Sequence, residues 1–365
     1  MIIKSLELTD YRNYEQLSME FSPGTNILYG DNAQGKTNIL EAIYVAATTK
    51  SHKGSKDREI IHFDKEEAHI RTRIEKDHVE TRVDMHLRKN KSKLLAIDGQ
   101  KAKKATDLIG KCNVVFFSPE DLSIIKDGPS ERRRFVDMEL CQLDSFYLYN
   151  LTNYNKIVEQ RNTLLKDMVF NPQLRDTLNI WDMQLVSYGS KIIERRKLFV
   201  EQLNEIIEKI HYSLSGGKEK LKVIYEPDVE IDAFESKLVA NQERDVKAKM
   251  TSVGPHRDDF CFLIGDIDIR RFGSQGQQRT AALSLKLSEI ELVKQIVKDT
   301  PILLLDDVLS ELDSNRQNYL LNHIGDIQTI ITCTGLEEFV NNRFEINRVF
   351  RVTNGVVERM SSQET

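Results

Sequence analysis

The segment Gly30-Asp31-Asn32-Ala33-Gln34-Gly35-Lys36-Thr37 constrains this chain more than any other, because it sets two glycines, a lysine and a hydroxyl at the spacing G-x-x-x-x-G-K-T. Such a loop turns its backbone N–H groups toward phosphate oxygens, its lysine reaches the β- and γ-phosphates, and its threonine offers a hydroxyl to Mg²⁺. It requires a strand before it and a helix after it, whose positive N-terminal end faces the phosphates. Both are expected here. Asn26-Ile27-Leu28-Tyr29 is strand-like, and Ile39, Leu40, Ile43, Tyr44 and Ala47 recur at helical spacing. The implied ligands are ATP and Mg²⁺, with Gly30, Asp31, Asn32, Ala33, Gln34, Gly35, Lys36 and Thr37 as the binding residues.

A second anchor lies near the other end of the chain. Ile302-Leu303-Leu304-Leu305-Asp306-Asp307 is an apolar strand that ends in two acids. A buried strand that delivers a carboxylate at its edge is the way a phosphate-loop ATPase places its Walker-B aspartate on Mg²⁺. Asp306 is therefore the candidate metal residue with Thr37, and Asp307 the candidate for orienting or activating the attacking water.

With one anchor near each terminus, the ATP-binding lobe is expected to combine residues 1–118 and 246–365. Alternation over 68–96 and the turn Ile97-Asp98-Gly99-Gln100 predict a small antiparallel β subdomain within it. Long helical patterns over 130–165 and 173–211 predict a mainly helical inserted lobe, 119–245. Strands at 302–305, 328–332 and 348–353 alternate with helices at 277–298 and from 315, so the fold class is α/β with a mixed sheet.

At 365 residues the chain is long enough for a substantial core, and no uncharged apolar run approaches the ~18 residues of a membrane span. Neither a signal peptide nor a membrane partner is indicated, so a cytoplasmic location is expected. Cys112, Cys141, Cys261 and Cys333 form no C-x-x-C pair, which argues against a zinc site or a disulfide framework. The 57 acids exceed the 52 bases, so any nucleic-acid site must be a local patch. Candidates are Lys91 and Lys93, Lys103 and Lys104 around the Asp98-Gly99 turn, and Arg132 and Arg133. Each run alone reads as solvated surface, while together they are candidates for a groove. Arg132 to Arg134 alternatively bind nucleotide or buttress the lobes. Lys50, His52, Lys53 and Arg58 are within chain reach of either ATP or DNA.

Two further strings fix the class. Arg271-Phe272-Gly273-Ser274-Gln275-Gly276-Gln277-Gln278-Arg279 resembles the signature motif of ABC-type ATPases, and Ser310-Glu311-Leu312-Asp313 matches the D-loop that follows their Walker-B strand. With Asp10-Tyr11-Arg12-Asn13-Tyr14 and Gly254-Pro255-His256-Arg257-Asp258-Asp259, they closely resemble the RecF family of bacterial recombination proteins, ABC-type heads related to the SMC proteins. The resemblance covers nearly the whole chain. It implies an ABC-type head and an ATP-dependent homodimer in which Ser274, Gly276 and Gln277 complete the partner's site, with Ser310 and Asp313 at the same interface and Arg12 among the nucleotide-binding residues. It further implies binding to single-stranded or gapped DNA without sequence preference, and RecA loading with RecO and RecR.

Two departures bear on catalysis. The glutamate usual after the Walker-B aspartate is Asp307, one methylene shorter, which implies slow hydrolysis. In place of the usual histidine switch stand Thr332 and Thr334, either of which is a candidate for orienting water or γ-phosphate or an ordinary strand-end hydroxyl. Two rivals fit less well. A transporter ATPase calls for a membrane partner and a histidine switch, and an SMC-type tether calls for hundreds of residues of heptads, whereas even a 40-residue helix spans only about 60 Å.

Overall fold

The computed structural model describes residues 1–335 and 346–360. Contacts divide the chain into two compact units, Met1–Asp121 with Glu289–Thr365, and Leu122–Ser288.

The first unit begins with β1 (Ile2–Tyr11), β2 (Tyr14–Glu20) and β3 (Thr25–Tyr29). After the helix α1 (Lys36–Thr48) come β4 (Glu67–Lys76), β5 (Val79–Arg88), β6 (Leu94–Ile97) and β7 (Gln100–Lys101). One sheet has the order β2-β1-β4-β5-β6-β7 and is antiparallel throughout. Its alternation is plain in β4, where Ala68, Ile70, Thr72 and Ile74 are buried and Glu67, His69, Arg71 and Arg73 face water. The β6–β7 hairpin turns on Asp98 and Gly99, both at positive φ (51° and 79°), as the sequence pair predicts.

The second sheet of this unit adds β8 (Val114–Phe117), β12 (Ile302–Asp306), β13 (Thr329–Cys333), β14 (Arg348–Thr353) and β15 (Val356–Arg359), in the order β15-β14-β3-β13-β12-β8. All pairings are parallel except β14 with β15. The strand β8 is absent from the sequence reading: four consecutive buried residues, Val-Val-Phe-Phe, carry no alternation to detect. Leu6, Leu8, Ile70 and Met85 of the antiparallel sheet, Ile39, Leu40 and Ile43 of α1, and Leu28, Leu304 and Val352 of the mixed sheet share one core.

The second unit is mainly helical: α2 (Pro129–Leu143), α3 (Ser145–Asp167), α4 (Leu178–Leu214) and α5 (Phe234–Ala248). The single helical pattern expected over 130–165 is broken at Asp144, whose carboxylate accepts from the Phe146 and Tyr147 N–H groups and starts α3 afresh. Three strands complete the unit: β9 (Leu221–Glu226), β10 (Asp259–Ile264) and β11 (Ile267–Asp268). Because β9 pairs with β10 at six positions, residues 246–288 cluster with this unit rather than with the first.

Buried arginines organise its interior. Arg161 donates to Asp182 and Asp245 at 2.7 Å each and to the Thr251 hydroxyl at 3.0 Å. Arg196 donates to Asp258, Asp137 and the Pro255 carbonyl, each at 2.7 Å. The Gly254–Asp259 string is thus a packing device within the described residues. His256 completes it: Nδ1 meets the Tyr154 hydroxyl at 2.7 Å and Nε2 the Thr251 carbonyl at 3.1 Å, so a neutral ring is satisfied on both nitrogens.

Burial, with help from Arg257 and Arg133 and against Asp228, lowers the His256 pKa to about 4. A depressed imidazole binds protons less well folded than unfolded, so its stabilisation is present above pH 6.5 and is lost as pH falls toward 4. Between pH 7 and 5 the unfolding free energy of the wild type is expected to fall by about 2 kcal/mol more than that of His256→Gln. Urea titrations at the two pH values measure the difference, and equal slopes for the two proteins would contradict it.

Candidate nucleotide site and its flanking motifs

The phosphate loop connects β3 to α1 and is held in shape from several sides. Gly30 has φ 150°, and a Cβ there would lie 2.3 Å from the Val352 carbonyl oxygen. Gly35 has φ 111° with Asn13 and Tyr14 packed where a Cβ would project. Both positions therefore require glycine. The Tyr14 hydroxyl donates to the Gly35 carbonyl at 3.0 Å, and the Asn13 amide donates to the Gln34 carbonyl at 3.2 Å. Asn38 donates to Asn13 in turn, at 2.8 Å. The Asn354 N–H donates to Gln34 Oε1 at 2.5 Å. Asn13 and Tyr14 thus buttress the loop, a role that the sequence reading did not assign.

Lys36 is buried, and its ammonium donates to the carbonyls of Gly30 (2.5 Å) and Asp31 (3.0 Å), inside the curl of its own loop. Thr37 donates to Asp306 Oδ1 at 2.8 Å. This meeting across 269 residues follows from strand order: β3 pairs with β13 and β13 with β12, so the C-terminal ends of β3 and β12 lie at one sheet edge. Thr332, the register partner of Asp306, donates to the same Oδ1 at 2.8 Å. Its oxygen also accepts the Asp307 N–H at 3.0 Å. That bond holds Asp307 at φ 51°, a left-handed conformation uncommon for a residue with a side chain. Asp307, Leu309, Ser310, Thr332, Thr334 and Gly335 line a cleft of about 160 Å³. Thr332 is buried, and Thr334 is exposed.

Burial and the neighbouring Asp307 raise the Asp306 pKa, outweighing the two hydroxyl donors that lower it. A buried carboxylate so placed, next to the Thr37 hydroxyl, is a hard-oxygen donor set that a divalent cation would complete, and it fits Mg²⁺.

Arg12 lies close by but is engaged: it donates to both carboxylate oxygens of Glu41 (2.8 and 2.7 Å), to Ser55 and to the Glu59 carbonyl. Burial pushes the Glu41 carboxyl up, yet the bonds from Arg12 and Ser51 prevail and hold it below its ordinary range. Ser310 donates to the Asp307 carbonyl at 2.8 Å, and Asp313 caps the helix α7 (Ser314–His323) by accepting from the Arg316 N–H.

In the second unit, the signature motif starts the helix α6 (Gln275–Val297). Ser274 and Gln277 form a reciprocal cap: Gln277 N–H donates to Ser274 Oγ at 3.2 Å and Ser274 N–H to Gln277 Oε1 at 2.8 Å. Ser274, Gln275 and Gly276 are exposed.

The basic candidates separate by burial. Lys91, Lys103 and Lys104 are exposed around the β6–β7 hairpin. Lys93 instead donates to Asp57 (2.9 Å) and the Thr49 carbonyl (2.6 Å). The expectation that Arg132 contacts DNA needs correction: it is 2% exposed and grips Asp259 through two bonds of 2.7 and 3.0 Å, the buttressing alternative. Arg133 donates to the Asp258 carbonyl at 2.6 Å. His52 stacks on Phe116 at 4.0 Å within the first unit, while Lys50, Lys53 and Arg58 are exposed.

The family model described as the RecF/RecN/SMC N-terminal domain matches residues 2–358. The DNA replication and repair protein RecF of Lachnoclostridium phytofermentans is 65% identical over 359 residues, spanning 98% of this chain and 100% of that protein. Among solved structures, the recombination mediator protein RecF-ATP in the RecFOR pathway is 36% identical with a TM-score of 0.92, covering 98% of this chain and 97% of that one. The Smc head bound to the C-winged helix domain of ScpA matches at 16% identity and a TM-score of 0.57, over 100% of this chain and 99% of that one, a likeness of fold alone. The fold is that of an ABC-type ATPase head. Among the described residues, no helix is long and apolar enough to cross a membrane.

Proposed function

The chain belongs to the RecF family of DNA replication and repair proteins, and from that premise we propose that it is an ATP-dependent DNA-binding protein of recombinational repair and replication-gap rescue. The observation that carries this reading is the convergence of the Thr37 and Thr332 hydroxyls on Asp306, beside a phosphate loop whose lysine already lies in the curl. The ATP-bound RecF relative supports ATP as the ligand.

On ATP binding, Lys36 exchanges its two loop carbonyls for β- and γ-phosphate oxygens, and backbone N–H groups from Gly30 to Thr37 take the remaining phosphate oxygens. Thr37 and Asp306 would hold Mg²⁺, which would supply positive charge to the phosphates when bound. Asp307 orients or activates the attacking water. Thr332 positions both acids: it fixes the Asp306 carboxylate and the Asp307 backbone. A base one methylene shorter than glutamate sits off the ideal line of attack, and a misplacement of that size costs roughly 10²-fold in rate. Hydrolysis is therefore slow, and bound ATP acts as a timer for the dimer.

Ser274, Gly276 and Gln277 complete the nucleotide site of a second copy. Ser310 and Asp313 lie at the same interface. The exposed Ser274 supports this reading, since its hydroxyl caps a helix while remaining open to a partner. Lys91, Lys103 and Lys104 contact DNA phosphates, which gives salt-sensitive and sequence-independent binding to single-stranded or gapped DNA. The pathway named for the structural relative supports RecO and RecR as partners, with RecA loading in the cytoplasm as the output.

Sedimentation velocity tests the composite site. ATP with gapped DNA is expected to shift the wild type from monomer to dimer, and Ser274→Arg to remain monomeric while still binding one ATP per chain. A Ser274→Arg protein that dimerises as the wild type does would refute the shared site.

A further inference from the structure

We propose that Glu67, His69 and His86 form a binding site for a divalent transition metal, with Zn²⁺ the best-fitting ion, on the solvent face of the antiparallel sheet. The sheet register makes the cluster. His69 of β4 and His86 of β5 are direct cross-strand partners, and their rings stack at 4.1 Å with planes 20° apart. Glu67 precedes His69 by two residues and so shares its face, and its carboxylate lies 2.7 Å from His86 Nε2. One ligand atom from each of the three residues lies within 4.8 Å of the others.

Two imidazoles and a carboxylate are the donor set of open zinc sites, with metal–ligand distances of about 2.0–2.2 Å and a fourth position left for water. Such a site needs its donor atoms about 3.3 Å apart, from tetrahedral geometry at those distances. Half-exposed side chains on fixed strands reach that spacing by small rotations. At His86 the ion takes the Nε2 lone pair of the neutral ring, so the single ring proton sits on Nδ1 and the contact between Nε2 and Glu67 is replaced by a bond from each to the ion.

The surrounding charges leave the position open to a cation. Arg71, next on the same face of β4, is engaged by Asp84 at 2.5 Å and Glu7 at 3.2 Å. Arg88, the cross-strand partner of Glu67, turns its guanidinium to the Ser92 carbonyl. Lys65 pairs with Asp10 and Lys89 with Glu66. His69 and His86 also form part of the wall of a groove of about 470 Å³, with Arg71, Asp84, Leu94 and Lys101, which leaves room for the fourth ligand. Nothing in ATP binding or hydrolysis uses these residues, and their solvent exposure lets them be replaced without disturbing the core.

The test is equilibrium titration of the untagged full chain with Zn²⁺ in excess Mg²⁺, together with visible spectra of the Co²⁺-loaded protein. One equivalent of Zn²⁺ is expected to bind, and Co²⁺ to give the intensified bands of a tetrahedral site. His69→Ala and His86→Ala should each weaken binding by more than about 100-fold, beyond the 10- to 100-fold that loss of an outer partner costs. His78→Asn, on the exposed β4–β5 turn, should leave affinity unchanged. Absence of stoichiometric binding, or binding that survives both alanine variants, would overturn the proposal. So would loss of the Zn²⁺ in Asp306→Asn alone, which would place the ion at the phosphate loop.

Discussion

Lys36→Ala is expected to weaken ATP binding by about 100-fold. The lysine ammonium is buried and fixed by two carbonyls of the loop, so it is oriented before the nucleotide arrives and loses little freedom on binding. A hydrogen bond to a charged group contributes about 1.5–3 kcal/mol, and the lysine makes at least one such bond to the β/γ-phosphates. About 2.7 kcal/mol corresponds to the stated factor. Fluorescence titration with a labelled ATP analogue measures it, with Ser274→Arg as the companion protein that should retain the wild-type constant in the monomer. An affinity for Lys36→Ala within threefold of wild type would remove Lys36 from the phosphate contacts. The same variant should also lose ATP-driven dimerisation, since an empty loop leaves nothing for the signature of a second copy to close upon.

Arg161→Met is the second large effect, and it falls on stability. Arg161 is fully buried, and its two carboxylate partners, Asp182 and Asp245, are 4% and 0% exposed. Breaking a buried pair from one side leaves uncompensated charge and costs about 3–5 kcal/mol, whereas replacing all the members together is often neutral. Asp182 keeps the Gln242 amide at 2.8 Å and Asp245 keeps Ser252, so neither loses every partner, but neither remaining donor carries charge. Adding Asp245→Asn to Arg161→Met removes one buried charge and should recover part of the loss. Urea unfolding of the three proteins checks both statements. A single variant as stable as the wild type would show that this network contributes nothing to the second unit.

The residues legible from the sequence were those whose chemistry depends on local spacing. Two glycines, a lysine and a threonine at fixed separations specify a loop geometry wherever they occur, and an apolar run ending in acids specifies a strand with carboxylates at its tip. The Asp98-Gly99 pair likewise demanded its turn, since both positions take positive φ. The Asp144 break within the expected 130–165 helix was harder, because an aspartate inside a helical pattern signals a cap only once the neighbouring N–H groups are seen to turn toward it.

Long-range pairing settled the rest. Thr332 acquires its place on Asp306 and Asp307 from the register of β12 with β13, and no spacing rule relates residues 26 positions apart through a sheet. Asn13 and Tyr14 reach the phosphate loop because β1 and β2 meet beneath it, so their support of Gln34 and Gly35 is a product of packing. Three consecutive arginines read as a basic patch until burial is known. Helical geometry points Arg132 inward to Asp259, which turns a candidate phosphate contact into a structural tie. The cross-strand stacking of His69 on His86 is of the same kind. Local chemistry is written in neighbouring residues, whereas the choice of distant partners depends on strand order and on which face of each element the core covers.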